Sequence, residues 1–135
     1  MKEYRISAVT KLLGLSADTL RYYEKINLLP LVHRTASGIR AYNERDISRL
    51  RFIQRAQKMK FSLKEIGALL MMREDPQHAR DEVRVLTKRK LAEVEEHLSD
   101  LGLLRGELQL LLNLCVASKE GCPIIEGIDE EEHQA

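Results

Sequence analysis

The sequence predicts a mainly α-helical protein: a winged helix-turn-helix head, a long helix forming an antiparallel coiled coil with a second copy, and a short C-terminal loop. Three observations support this prediction. Apolar residues recur at helical spacing through the first 75 residues, a β-compatible stretch interrupts them, and a heptad pattern runs from Leu91 to Cys115. In a chain of 135 residues this patterning favours a small head and an extended helix over one compact domain.

The first two predicted helices are joined by a tight turn. Apolar residues at helical spacing mark the first helix: Ile6, Val9, Leu12 and Leu13. Gly14-Leu15-Ser16 interrupts this pattern, and a second pattern begins at Thr19. The Ser16 hydroxyl is suited to cap the second helix because it can accept an orphan backbone N–H. Two short helices joined by a glycine-containing turn are typical of a DNA-reading helix-turn-helix.

A short β-hairpin, or wing, is predicted next, within residues 27–42. This stretch has β-compatible residues on either side of a Ser37-Gly38 turn signal. Arg34 and Arg40 flank the turn, at positions from which both side chains could face a phosphate backbone. Ordinary surface charge is the alternative interpretation of these two arginines, and the sequence leaves it open.

A second helix pair is predicted after the wing. Its first helix has an apolar stripe with arginines mostly outside it; the stripe is Ile47, Leu50, Ile53 and Ala56, and the arginines are Arg45, Arg49, Arg51 and Arg55. Ser62 and Glu65 have the spacing of a capping box, which predicts the start of the second helix. Asp75-Pro76 then breaks the chain, and Pro76 is suited to the first turn of the next helix.

The last long helix has a heptad seam. The seam positions alternate three and four residues apart: Leu91, Val94, Leu98, Leu101, Arg105, Leu108, Leu112 and Cys115. Such an exposed helix is unstable in water unless another helix covers the seam, so we expect a homodimer. The predicted domains are a head over 1–75, a dimerisation helix over 76–114, and an effector-binding loop and tail over 115–135.

The charges of the chain are strongly divided. Residues 1–60 contain 13 Lys and Arg against 5 Asp and Glu, a net charge of +8, whereas the remainder has a net charge of −7. A basic head favours double-stranded DNA as a partner, because phosphates attract Lys and Arg and release counterions on contact. The sequence contains neither a membrane-length apolar stretch nor the apolar core of a secretory signal, which predicts a cytoplasmic protein with no membrane partner.

Two cysteines, Cys115 and Cys122, are separated by six residues. In a reducing cytosol they are better interpreted as thiols, metal ligands or a redox pair than as a permanent disulfide. Two soft thiolates suffice for a linear monovalent ion such as Cu(I), Ag(I) or Au(I). Zinc or another divalent metal needs about four donors, which His78 and Asp81 could help to supply with the partner subunit.

Other interpretations of the cysteines remain open. Cys115 could be a buried small hydrophobe, and the pair could sense oxidants or electrophiles instead of a metal. An enzyme with a reactive cysteine is disfavoured, because no His lies near either cysteine in sequence and no Gly-rich phosphate loop is present. A pure coiled-coil adaptor is also disfavoured, because it would leave the arginine-rich wing without a role.

Over essentially its whole length, the chain resembles the MerR family of transcriptional regulators. Thr19-Leu20-Arg21-Tyr22-Tyr23-Glu24 is similar to the family's recognition-helix signature, and residues 34–42 are similar to its wing pattern, with Ile39 in place of the usual Tyr or Phe. The resemblance implies two sets of DNA contacts. Those at the major groove or its phosphates are Ser16, Thr19, Arg21 and Tyr23, and those of the wing with the backbone are Arg34, Arg40 and Tyr42. We expect Tyr22 to be a core aromatic.

The C-terminal segment resembles that of copper-efflux regulators, which share a run like Cys122-Pro123-Ile124-Ile125-Glu126 and usually have seven residues between the cysteines. This resemblance implies a homodimer that activates transcription by RNA polymerase through distortion of promoter DNA, with Cys115 and Cys122 as ligands of monovalent copper, silver or gold. A divalent-metal sensor and a redox or electrophile sensor are the alternatives.

Overall fold

The computed structural model describes residues 2–117, with only the backbone described at residue 117. Cys122 and the rest of the predicted C-terminal loop and tail therefore lie outside the described residues. The chain divides into two units, the first ending at Lys88 and the second beginning at Arg89. Within residues 2–117, every helix is too short or too polar to cross a membrane.

The helix-turn-helix is formed by α1 (Ile6–Leu13) and α2 (Ala17–Lys25). Gly14 ends α1 in the left-handed conformation, with φ of 68°, and its N–H bonds to the carbonyl oxygen of Thr10. Ser16 begins α2 by accepting a 3.0 Å hydrogen bond from the backbone N–H of Thr19. The turn and the N-cap that the sequence predicted are both confirmed.

A three-stranded antiparallel sheet contains the wing. Its strands are β1 (Glu3–Tyr4), β2 (His33–Arg34) and β3 (Arg40–Asn43), in the order β1-β3-β2. The hairpin between β2 and β3 turns through residues 35–39, where Gly38 has a φ of 82°. The predicted hairpin is confirmed, whereas β1 was not predicted, because two residues are too few to show an alternating pattern.

The second helix pair consists of α3 (Glu44–Lys58) and α4 (Leu63–Glu74). Ser62 and Glu65 form the predicted capping box at the start of α4. Asn43 and Asp46 form another at the start of α3, with reciprocal hydrogen bonds of 2.9 and 3.0 Å. Each box satisfies two of the backbone N–H groups that a helix start leaves unbonded.

One hydrophobic core joins the sheet and the four helices of the head. The predicted stripe of α3 lies in this core, and the largest fully buried side chains are Tyr42, Leu20, Leu29, Leu50, Ile53, Ile66, Leu70 and Val9. Two side chains pack differently from what these patterns alone suggest. Leu12 is half exposed although it belongs to the α1 pattern, and Arg49, expected mostly outside the stripe, is buried because its guanidinium finds acceptors inside the head.

The long helix begins later than predicted. Pro76 opens a separate 3₁₀ helix (Pro76–His78), and the extended backbone of Ala79 separates it from α5 (Asp81–Ala117). In the second unit, the leucines of the predicted seam are about half exposed: Leu91, Leu98, Leu101, Leu108 and Leu112. Within residues 89–116 of this single chain, the seam is therefore uncovered.

Candidate nucleic-acid interface and thiol site

Three of the predicted groove contacts lie on the solvent side of the α2 N-terminus. The hydroxyls of Ser16 and Thr19 are 2.7 Å apart, and Arg21 is paired to Asp18 at 3.0 Å. Half of the Arg21 side chain is exposed, as is almost all of Asp18. The Ser16 and Thr19 hydroxyls thus lie at a helix start, where the helix dipole favours an anion, and the exposed Arg21 lies further along the same helix.

The two wing arginines converge on one carboxylate. Arg40 of β3 donates from Nε to Oε2 of Glu24 at 2.6 Å, and Arg34 of β2 donates from Nη2 to Oε1 of Glu24 at 3.2 Å. Arg34 also donates from Nη1 to the carbonyl oxygen of Gly38 at 3.3 Å. Both guanidiniums retain exposed surface and further N–H groups, so they can still reach a phosphate.

The tyrosines differ from what the sequence suggested. Tyr22, expected in the core, is half exposed, and Tyr23 is buried with its hydroxyl donating to Oε1 of Gln57 at 3.0 Å. Tyr42 is completely buried. The helical register turns Tyr23 toward α3, and the strand alternation turns Tyr42 inward. Tyr23 and Tyr42 are therefore core residues in this structure, and their predicted contacts with DNA stay predictions.

Glu24 is the last residue of the recognition-helix motif, and its role was not predicted from the sequence. An acidic residue in a basic, DNA-facing segment is the signal that could have drawn attention to it. Its partners come from strands 10 and 16 residues later in the chain, so a local pattern does not reveal them.

Only one of the two predicted thiol ligands can be placed. Cys115 lies in the C-terminal part of α5 and is half buried, whereas Cys122 is outside the described residues. Among residues 2–117, His, Cys, Asp and Glu do not form any group of three or more that could hold a metal ion. A metal site built on Cys115 therefore needs a donor from the remainder of the chain or from a second copy.

The additional candidates His78 and Asp81 lie around the start of α5. Nδ1 of His78 bonds to the Asp75 carboxylate at 2.9 and 3.0 Å, while most of the ring is exposed. This pairing leaves Nε2 of His78 as the nitrogen available to a ligand. Asp81 is exposed at the first position of the helix.

Two family models match the chain. The one described as "MerR HTH family regulatory protein" matches residues 4–72, and the one described as "MerR, DNA binding" matches residues 47–111. The two matches overlap in α3 and α4 and together cover every described element except β1's first residue and the end of α5.

Individual proteins are similar over most of their length. The HTH-type transcriptional regulator ZntR of Escherichia coli K12 is 35% identical over 131 residues, covering 94% of this chain and 93% of ZntR. The solved structure of PbrR691 from Ralstonia metallidurans CH34 in complex with lead(II) is 32% identical, with a TM-score of 0.57, covering 93% and 98%. HiNmlR bound to promoter DNA has a TM-score of 0.63 at 26% identity, covering 84% and 86%.

Proposed function

The chain belongs to the MerR family of helix-turn-helix regulators, and from this premise we propose a metal-responsive activator that binds promoter DNA as a homodimer. Its fold and its relatives are those of transcriptional regulators, not enzymes. The proposed place of action is the cytoplasm, where promoter DNA and RNA polymerase are available.

The proposed DNA interface consists of the exposed start of α2 and the wing. Ser16, Thr19 and Arg21 approach the major groove or its phosphates, since hydroxyls position a helix and a guanidinium binds phosphate or guanine. Arg34 and Arg40 bind phosphates from the wing with the N–H groups that Glu24 leaves available. Tyr23 and Tyr42 support these residues from the core.

The proposed dimer covers the α5 seam. Leu98, Leu101 and Leu108 expose about half or more of their surface on one side of the helix. Burying apolar area stabilises an interface by roughly 25 cal/mol per Å². The seam of a second copy has the same apolar residues, so pairing the two seams would remove both from water. An antiparallel coiled coil of two α5 helices is the arrangement we propose.

The two cysteines are the observation that supports a metal effector. They are the only cysteines of the chain, and Cys115 ends the seam that the dimer would bury. Cys122 follows in sequence after six intervening residues, between Gly121 and Pro123. Two thiolates form a sufficient donor set for Cu(I), Ag(I) or Au(I), which accept linear two-coordinate sites, so a monovalent ion is the effector we favour.

A divalent thiophilic metal is the second candidate. The observation that favours it is the similarity to PbrR691, whose structure is in complex with lead(II). In that case the partner subunit would complete the donor set, and the exposed Nε2 of His78 and the carboxylate of Asp81 are the residues available for it.

The proposed mechanism links the thiol site to the DNA-binding heads through dimer geometry. A metal shifts the dimer only if it binds one conformation more tightly than the other. The metal-bound conformation would distort the promoter between its two half-sites. This distortion would realign the two promoter elements that RNA polymerase recognises.

Titration of the reduced protein with Cu(I) in the presence of a strong competitor tests the metal assignment. We expect one ion per pair of cysteines, lost in the Cys115→Ser/Cys122→Ser variant while that variant still binds DNA. Absence of stoichiometric binding, or binding unchanged in the double variant, would refute it.

Parallel titrations with Pb(II) and Zn(II), using His78→Ala and Asp81→Ala, test the divalent alternative. A transcriptional response to oxidants without metal would instead support a redox sensor.

A further inference from the structure

Glu24 lies in the last turn of α2 and connects that helix to both strands of the wing. One carboxylate oxygen accepts from Arg34 of β2 and the other accepts from Arg40 of β3, at 3.2 and 2.6 Å. Only about a quarter of the Glu24 side chain is exposed, so both pairs are partly shielded from water. These contacts cross between the two elements that the proposed function places on DNA.

The carboxylate also resolves a repulsion inside the wing. Arg34 and Arg40 are directly opposite partners in the antiparallel register of β2 and β3. Like charges at opposite positions of paired strands are destabilising, whereas a shared counter-ion between them is stabilising. Because Arg34 also donates to the Gly38 carbonyl oxygen, Glu24 fixes the wing turn as well as its two strands.

Glu24 has two opposing effects near DNA. As a negative charge it repels phosphates, so its removal should strengthen binding to any duplex. As an anchor it holds two flexible arginines in one geometry, which lowers the ordering cost of binding them to phosphates. The anchoring of Arg34 and Arg40 strengthens binding only to a DNA sequence that α2 and the wing can contact at the same time.

We propose that Glu24 is a positioning residue for DNA recognition, which orients Arg34 and Arg40 relative to α2 so that helix and wing engage one duplex in register. The proposal rests on the proposed DNA-binding function. Glu24 would then contribute to sequence specificity, although its negative charge disfavours contact with DNA.

The test compares Glu24→Gln with Asp18→Asn in the full chain. Both substitutions remove one negative charge from α2, but among residues 2–117 the exposed Asp18 pairs with Arg21 of its own helix and does not connect α2 to the wing. Affinity is measured for a duplex selected from a random pool by the wild-type protein, and for a scrambled duplex of the same composition. We expect Glu24→Gln to weaken binding to the selected duplex about tenfold while binding to the scrambled duplex stays equal or strengthens. Asp18→Asn should not show this divergence.

Salt dependence distinguishes positioning from a general loss of structure. With two phosphate contacts loosened, the log–log salt slope for the selected duplex should decrease by about 1 to 2 in Glu24→Gln. Glu24→Asp, which keeps the charge, should recover part of the affinity and slope. In an Arg34→Gln/Arg40→Gln background, Glu24→Gln should no longer weaken binding, because only the repulsion remains to be removed.

The outcomes separate this proposal from the proposed function. If the wild-type protein binds neither duplex, the DNA-binding function itself is wrong. If the wild type binds and Glu24→Gln strengthens binding to both duplexes, as simple charge removal would, the positioning role is refuted. Weakening that persists in the double-arginine background refutes it as well. Urea unfolding of each variant shows whether the head stays folded. If Glu24→Gln does not fold, the affinities of Glu24→Asp for the two duplexes are compared with those of the wild type instead.

Discussion

Arg49 of α3 and Glu74 at the end of α4 form an ion pair of 2.5 Å at the boundary between the two helices. The Arg49 side chain is almost fully buried, and its Nε and Nη2 donate to the carbonyl oxygen of Leu28 at 3.1 and 2.9 Å. Glu74 is further paired with Arg45. One guanidinium therefore joins α3 to α4 and to the segment that follows α2.

Arg49→Ala should lower the free energy of unfolding by about 2–4 kcal/mol, because it leaves the buried Leu28 carbonyl oxygen without these donors and opens a cavity. Urea unfolding at fixed protein concentration measures the loss. Arg51→Ala, on the exposed side of the same helix, is the matched control and should change stability by no more than about 0.5 kcal/mol. Equal effects of the two substitutions would contradict the role assigned to Arg49.

Removal of a tyrosine hydroxyl should have opposite consequences at two buried positions. Within residues 2–117, the Tyr42 hydroxyl is buried and lacks any hydrogen-bond partner, whereas the Tyr23 hydroxyl donates to Gln57. Tyr42→Phe should leave stability unchanged or raise it, because a buried unsatisfied hydroxyl is costly. Tyr23→Phe should lower it by about 1 kcal/mol. Thermal unfolding of both variants tests the pair, and a destabilising Tyr42→Phe would show that the hydroxyl is bonded.

Asp46 should make the stability of the head depend on pH. Burial raises the pKa of its carboxyl above the ordinary value, although the Asn43 N–H and nearby arginines oppose the shift. The folded state then holds the proton more tightly than the unfolded state, so stability falls as pH rises from the unfolded pKa, about 4, through the raised folded pKa.

Asp46→Asn keeps an oxygen acceptor for the Asn43 N–H but cannot titrate. The free energy of unfolding of the wild type, relative to that of Asp46→Asn, should therefore decrease as pH rises from about 4 through the raised folded pKa of Asp46. Urea unfolding of both proteins across this range measures the difference, in which the other carboxylates largely cancel. A difference that grows with pH would mean that the carboxylate is stabilised rather than penalised in the fold.

The proposed dimer seam can be tested with two neighbouring leucines of α5. Leu108 belongs to the heptad seam, and Leu110, two residues later, faces another side of the helix; both are more than half exposed, at 52% and 59%. Leu108→Glu should shift the protein to a monomer, whereas Leu110→Glu should leave the dimer intact. Sedimentation equilibrium measures the mass of each variant. Dissociation by Leu110→Glu alone would place the interface on the other face.

Elements fixed by local patterns were predicted correctly. The stripe of Ile47, Leu50 and Ile53 is buried, and the N-caps at Ser16 and Ser62 form as expected. The reason is that helical periodicity and capping depend on residues within about four positions of one another. The family resemblance stated from the recognition-helix and wing motifs is likewise confirmed by the matches over residues 4–72 and 47–111.

Predictions that depended on long-range contacts were less successful. Tyr22 was expected in the core but is half exposed, whereas its neighbour Tyr23 is buried. The sequence cannot show which of two adjacent aromatic residues faces α3. The burial of Arg49 depends on acceptors 21 and 25 residues away in the chain. The predicted DNA contacts stay predictions, as do the metal-binding roles of Cys115 and Cys122; the DNA contacts are Ser16, Thr19, Arg21, Tyr23, Arg34, Arg40 and Tyr42.

The sequence by itself determined the order of the elements, the opposite charges of the two parts of the chain, and the pair of cysteines near the C-terminus. These properties follow from composition and short-range spacing. The tertiary structure alone decided that Glu24 joins the wing to α2, that Tyr23 and Tyr42 belong to the core, and that Arg49 holds α3 against α4. Each of these outcomes needs two distant segments to meet, because the partner of a buried charge or ring is chosen by packing and not by its sequence neighbours.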